Sequence, residues 1–239
     1  MSRFIFPNQL LFQMLGREAL LRSNVVCDEY LIVVQPSEQI SSHIWRGKQY
    51  LLPHLPGNRS VHSKAHFTIG SILAPCFLEG RLIQAAEAAC MQIARSIIGI
   101  HGYGKFQNGD GRNVIFLQPE QLFFSHLQLL LRRALRQEGL RFKSAIFPEH
   151  AHLTMVKDLF NAQLQFWWPQ IGPRPYRGHF QAAELVVLQR EPVSYSKCEV
   201  IARIPFTGKE PLPASWGVKP QQGTLFQRSE MDLPQRRND

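Results

Sequence analysis

His66-Phe67-Thr68-Ile69 and His152-Leu153-Thr154-Met155 decide how this chain reads. Both run His, apolar, Thr, apolar. The chain has nine His and only four Thr, yet two of those Thr follow a His by two residues. One His-x-Thr alone means little, whereas a spaced repeat in matching apolar surroundings means more. On a strand, residues i and i+2 share a face. His66 and Thr68 then point one way, and Phe67 and Ile69 the other; His152 and Thr154 repeat this against Leu153 and Met155. Each strand is expected to bury its apolar side under helices and to show an imidazole and a hydroxyl to a cleft.

Outward from these strands the pattern alternates. Val25 to Gln35 is strand-like, closed by Pro36, and the first motif strand spans Lys64 to Leu73. Residues 36–63 are polar and rich in Pro, His and Gly, and read as a long loop with one short helix. Glu79 to Ile93 has helical spacing. Ser96 to Phe106 and Asn113 to Leu117 form a hairpin around Asn108-Gly109-Asp110-Gly111, whose dipeptides are strong turn signals. Pro119 to Glu138 is an amphipathic helix, followed by the second motif strand, His150 to Val156. Leu159 to Trp168 reads as a short aromatic helix ended by Pro169; Gly178 to Arg190 and Lys197 to Phe206 close the domain as strands. The unit of motif strand, helix and strands occurs twice. This order predicts an α+β fold: a bilobal, pseudo-twofold domain with two antiparallel sheets facing a central cleft and helices outside.

Three regions follow: an accessory amphipathic helix within 1–24, the two-lobed domain over 25–206, and a polar, Pro-containing tail over 207–239 expected to be disordered. The net charge is +9 and the pI near 9.7, a balance that favours a polyanionic partner such as nucleic acid. Cys27, Cys76, Cys90 and Cys198 form no Cys-x-x-Cys pair and fit reduced thiols in a cytoplasmic protein. No apolar run is long enough for a transmembrane helix, and no convincing secretory leader is present, so no membrane association is expected. A monomer is expected.

Two imidazoles suit phosphodiester chemistry. With pKa values near neutrality, one can take a proton while the other gives one. In-line attack at phosphorus needs a base beside the nucleophile and an acid beside the leaving oxygen. Thr68 and Thr154 can hold the non-bridging oxygens without a metal. His150-x-His152 could form two legs of a zinc site, but no third ligand sits at a telling spacing, so neither metal nor cofactor is expected.

These residues resemble the two-histidine (2H) phosphoesterase superfamily, which includes bacterial RNA 2′,3′-cyclic phosphodiesterases, also called 2′-5′ RNA ligases. The resemblance rests on the two His-x-Thr-x motifs, with weaker matches at Gly102-Tyr103-Gly104-Lys105-Phe106, Asn113 to Leu117, Glu184 to Leu188 and Glu199 to Arg203. It implies His66 and His152 as catalytic residues and Thr68 and Thr154 as phosphate-binding hydroxyls. It implies metal-independent opening of a 2′,3′-cyclic phosphate, or cleavage or formation of a 2′-5′ linkage, on RNA or a small nucleotide. It favours His152 as base and His66 as acid, a choice that the symmetry of the site leaves open. The alternative is a non-catalytic nucleotide- or RNA-binding module using the same cleft, with the N-terminal helix as a partner surface.

Lys64, Tyr103 and Arg190 are candidate substrate contacts: Lys64 by strand parity with His66, Tyr103 by base stacking, Arg190 as a cation at a strand end. Phe106 is expected in the core. Lys157 has the wrong parity for the site and reads as a surface charge.

Overall fold

The structure is a computed structural model that describes residues 15–23, 25–108, 111–192 and 198–209. The described helices are α1 (Arg17–Leu21), α2 (Glu38–Leu51), α3 (Glu79–Cys90), α4 (Gln121–Gln137) and α5 (Asn161–Ile171). The strands are β1 (Cys27–Val34), β2 (Phe67–Pro75), β3 (Ser96–Phe106), β4 (Asn113–Pro119), β5 (Leu153–Leu159), β6 (Arg177–Ala182), β7 (Glu184–Arg190) and β8 (Glu199–Pro205). Every strand pairing is antiparallel, so the fold is α+β as expected.

The two expected sheets are joined into one. Eight strands run in the order β6-β3-β4-β5-β2-β1-β7-β8. Each half holds four strands, and one motif strand from each half meets at the centre. The join is narrow: β2 and β5 share the single register pair Phe67↔Leu153. Beyond it the segment before β5 takes over the β2 edge, with Ser71 bridged to Ile146. Gln128 of α4 ties both sides of this fork, donating to Ile69 O and Pro148 O at 3.1 and 2.9 Å.

Burial follows strand alternation. Tyr30, Ile32, Val34, Phe67, Ile69, Leu117, Leu153, Leu185 and Val187 face one continuous core, covered by Ile40 and Ile44 of α2, Leu82 of α3, Leu127 of α4 and Leu164 of α5. The residues between them, including Val33, Thr68, Phe116, Thr154 and Val186, face the other side of the sheet.

Residues 36–63 differ from expectation. They hold a 14-residue helix and two 3-10 turns, Leu52–His54 and Arg59–His62, instead of a long loop with one short helix. Ser37 caps α2 through the Ile40 amide, and Ile40, Ile44 and Leu51 lie on its buried stripe. The stripe was hidden because its fourth member is Lys48, 1 % exposed. The run Gly178 to Arg190 is two strands, parted at Ala183 and sent to different halves of the sheet. Pro169 lies inside α5, two residues from its end, where few helical bonds remain to be broken. Most of the expected N-terminal helix, the turn residues 109–110 and nearly all of the tail lie outside the described residues. No helix among those described is long and apolar enough to cross a membrane.

Candidate active site

Both histidines sit one residue before their strands, so each lies where extended backbone begins: His66 before β2 and His152 before β5. Each makes the same local bond. His66 Nδ1–H donates to Lys64 O at 2.9 Å, and His152 Nδ1–H donates to His150 O at 3.0 Å. A carbonyl only accepts, so Nδ1 must carry the proton; this fixes the tautomer and leaves Nε2 to take or give the reacting one.

The Phe67↔Leu153 register sets the relation between the motifs. Carried one residue to each side, it places His66 across from Thr154 and Thr68 across from His152. The two histidines are close enough for the charge of His152 to act on His66. All four side chains are half-buried. Burial lowers the pKa of both imidazoles, while their backbone bonds partly offset it. His66 also feels Lys48, His152 and Lys157, each of which opposes a second positive charge there.

The surroundings of the two histidines differ. Phe106 and Phe116 pack on His152, with ring centroids 5.0 and 5.3 Å away. Phe116 lies flat across Gly104: a Cβ there would come within 2.5 Å of its ring. Phe106 thus faces the site side and not the core, because a bulge between Ile100 and Tyr103 resets the parity of β3. Beside Thr68 the same face is aliphatic: Thr68 pairs with Val33, Val33 with Val186, and Val186 with Arg203.

The other candidates lie apart from this row. Lys64 is exposed and precedes β2; its backbone carbonyl serves His66. Tyr103 faces the helix side, in the row of Leu117 and Leu153. Its hydroxyl is hydrogen-bonded to His43 Nε2 at 2.8 Å, and burial pushes its pKa up to about 12. Arg190 is bound to Glu29, with Nε 2.6 Å from Oε2, at the β1–β7 pairing four residues from Val33. Arg17 also reaches Glu29, at 2.9 Å; burial acts to raise the pKa of that carboxyl, and the two guanidiniums outweigh it and hold the group below its ordinary range. Trp167 is core, and Trp168 packs under Lys105. Among the described residues no group of three His, Cys, Asp or Glu could hold a metal ion.

Lys48 was not singled out from the sequence, nor was Phe116, which packs on His152. The signal for Lys48 was present: a lysine at i+4 from Ile44 on the apolar stripe of a helix is a buried charge needing a partner.

No protein-family profile matches the chain, and no curated protein does. Solved structures do. TT0787 of Thermus thermophilus superposes with a TM-score of 0.60 at 16 % identity, over 76 % of this chain and 100 % of that one. E. coli LigT complexed with 3′-AMP superposes with a TM-score of 0.55 at 13 % identity, over 76 % and 99 %. A protein described as a phosphoesterase follows at 0.51 and 16 %, over 75 % and 99 %. The chain has the fold of these proteins.

Proposed function

We propose that the chain is a 2H phosphoesterase: a metal-independent phosphodiesterase that opens 2′,3′-cyclic phosphates on RNA ends or small nucleotides, or cleaves or forms 2′-5′ linkages. The observation that carries this is the shared geometry of the two motifs. Each imidazole is locked in the same tautomer by the carbonyl two residues before it, and each lies across from the other motif's threonine. The LigT structures hold 3′-AMP, NADP+, ATP and phosphate, which supports a nucleotide ligand in this fold.

In the hydrolytic direction, one imidazole Nε2 takes a proton from water as its oxygen bonds to phosphorus. The other imidazole, entering protonated, gives its proton to the ribose oxygen as the P–O bond breaks. A phosphomonoester results, and the two histidines have exchanged roles. Thr68 and Thr154 donate to the non-bridging oxygens, where negative charge must be held. Lowered imidazole pKa values keep a base available at neutral pH, and the incoming phosphate favours a proton on its partner.

The test is turnover of a 2′,3′-cyclic nucleotide, and of RNA with a cyclic end, in EDTA, by the parent and by His66→Ala and His152→Ala. Parent activity lost in both variants supports the assignment. Activity that survives either substitution sinks it. Tight binding without turnover of any cyclic or 2′-5′ substrate means a non-catalytic nucleotide-binding module.

A further inference from the structure

The two histidines are held from behind by different means. On the His152 side the holder is neutral. Gln121 of α4 clasps the residue between His150 and His152 both ways: Ala151 N–H donates to Gln121 Oε1 at 2.9 Å, and Gln121 Nε2 donates to Ala151 O at 3.0 Å. On the His66 side the holder is a cation. Lys48 Nζ donates to Ser60 O at 3.0 Å, Ser63 O at 2.7 Å and Ser63 Oγ at 2.8 Å. Ser63 is bonded to Lys64, whose carbonyl receives the His66 Nδ1 proton.

The same turn reaches the second motif strand. Lys157 N–H donates to Ser60 Oγ at 3.1 Å, and Asn58 Nδ2 donates to Lys157 O at 2.8 Å. Ser60 Oγ in turn donates to Asn58 Oδ1 at 2.6 Å. Lys48 therefore anchors a turn that is tied to β5 and ends at His66. It does so as a buried charge with three oxygen partners and no carboxylate among them, an arrangement that costs stability and is not expected for packing alone.

We propose that Lys48 is a positioning residue that sets the polarity of the histidine pair: it fixes the Lys64 carbonyl behind His66 and places a buried positive charge on that side of the site only. The charged and titratable groups facing His66 are Lys48 from α2, and His152 and Lys157 from the second motif segment. All three are cationic when protonated. Behind His152 the corresponding holder, Gln121, carries no charge. A single proton shared by the site therefore rests on His152. His66 is then the base that takes a proton from water, and His152 is the acid, opposite to the order the family resemblance favours. The catalytic half of this inference rests on the phosphodiesterase reading; the placement of the proton does not.

The test is an NMR titration of both imidazoles in the full chain, assigned with His66→Ala and His152→Ala. His66 should titrate below His152 in the parent. Lys48→Met should raise the His66 midpoint by about half a unit or more and leave His152 nearly still, while Lys48→Arg keeps the order. If Lys48→Met does not fold, the parent still decides. Burial lowers the Lys48 pKa to about 8, so the His66 signal should show a second inflection at the pH where Lys48 loses its proton. Equal midpoints in the parent, a Lys48→Met shift shared by both histidines, or no second inflection overturns the proposal. If the NMR order holds but no cyclic or 2′-5′ substrate turns over, the reaction fails and the polarity stands. With turnover, Lys48→Met should move the acid limb of the kcat/KM profile upward in pH.

Discussion

Phe67 pairs with Leu153 across the centre of the sheet, and both side chains are fully buried. This one register pair sets two functional segments in antiparallel contact. It also means that a one-residue slip of either strand would turn that strand's imidazole into the core. The site is therefore as well defined as the packing of these two residues.

From that geometry, His66→Ala and His152→Ala should each lower kcat on a 2′,3′-cyclic nucleotide by about 100- to 10,000-fold, the range for a positioned general acid or base. Neither side chain belongs to the core, so both variants should keep the parent's urea midpoint. A variant that loses activity together with its fold would show a structural role instead.

Thr68→Val and Thr154→Val keep the shape and remove the hydroxyl. Each should cost about 10- to 100-fold in kcat/KM, the worth of one hydrogen bond to a charged group. Thr→Ser at either position should recover most of it. Full activity in either valine variant would show that the hydroxyl does not touch the phosphate.

Gly104 makes room for Phe116, which packs on His152. Gly104→Ala should therefore destabilise the chain by about 1–3 kcal/mol through overpacking and should lower kcat by disturbing His152. Phe116→Leu should recover part of the stability when combined with it, measurable as a coupling in a double-mutant cycle. Strict additivity would mean that the ring moves aside without cost.

Much of this was legible because two periods were clear. The His-x-Thr alternation separated the core face of each motif strand from the opposite face, and α3 and α4 showed helical spacing. What was hidden shares one cause: tertiary partners override local pattern. Lys48 breaks the apolar stripe of α2, so the helix looked like loop until the oxygens of Ser60 and Ser63 supplied its partners. Phe106 looked like core until the bulge in β3 turned it toward His152. Arg190 looked like a phosphate ligand because Glu29, its partner, is 161 residues away in the chain. The two-sheet expectation failed at a single pair of residues that no periodicity could reveal.

His43 supplies the clearest pH prediction, away from the site. Its Nε2 is hydrogen-bonded to Tyr103, its ring lies 4.5 Å from that of Tyr176, and burial together with the Arg46 charge lowers its pKa to about 4. The unfolded chain takes up this proton near the ordinary value of about 6.5, and the folded chain only much lower. Between these values the unfolded state binds more protons, so stability is fully present above pH 7 and is lost as pH falls toward 4. His66 and His152, also lowered, act in the same direction. For His43 alone the loss between pH 7 and pH 5 should be roughly 1–2 kcal/mol. Urea unfolding of the parent at the two pH values should show at least this difference. His43→Phe keeps a ring against Tyr176 but cannot titrate, and its stability should change correspondingly less over that interval. An unchanged pH dependence in His43→Phe would place the acid sensitivity elsewhere in the chain.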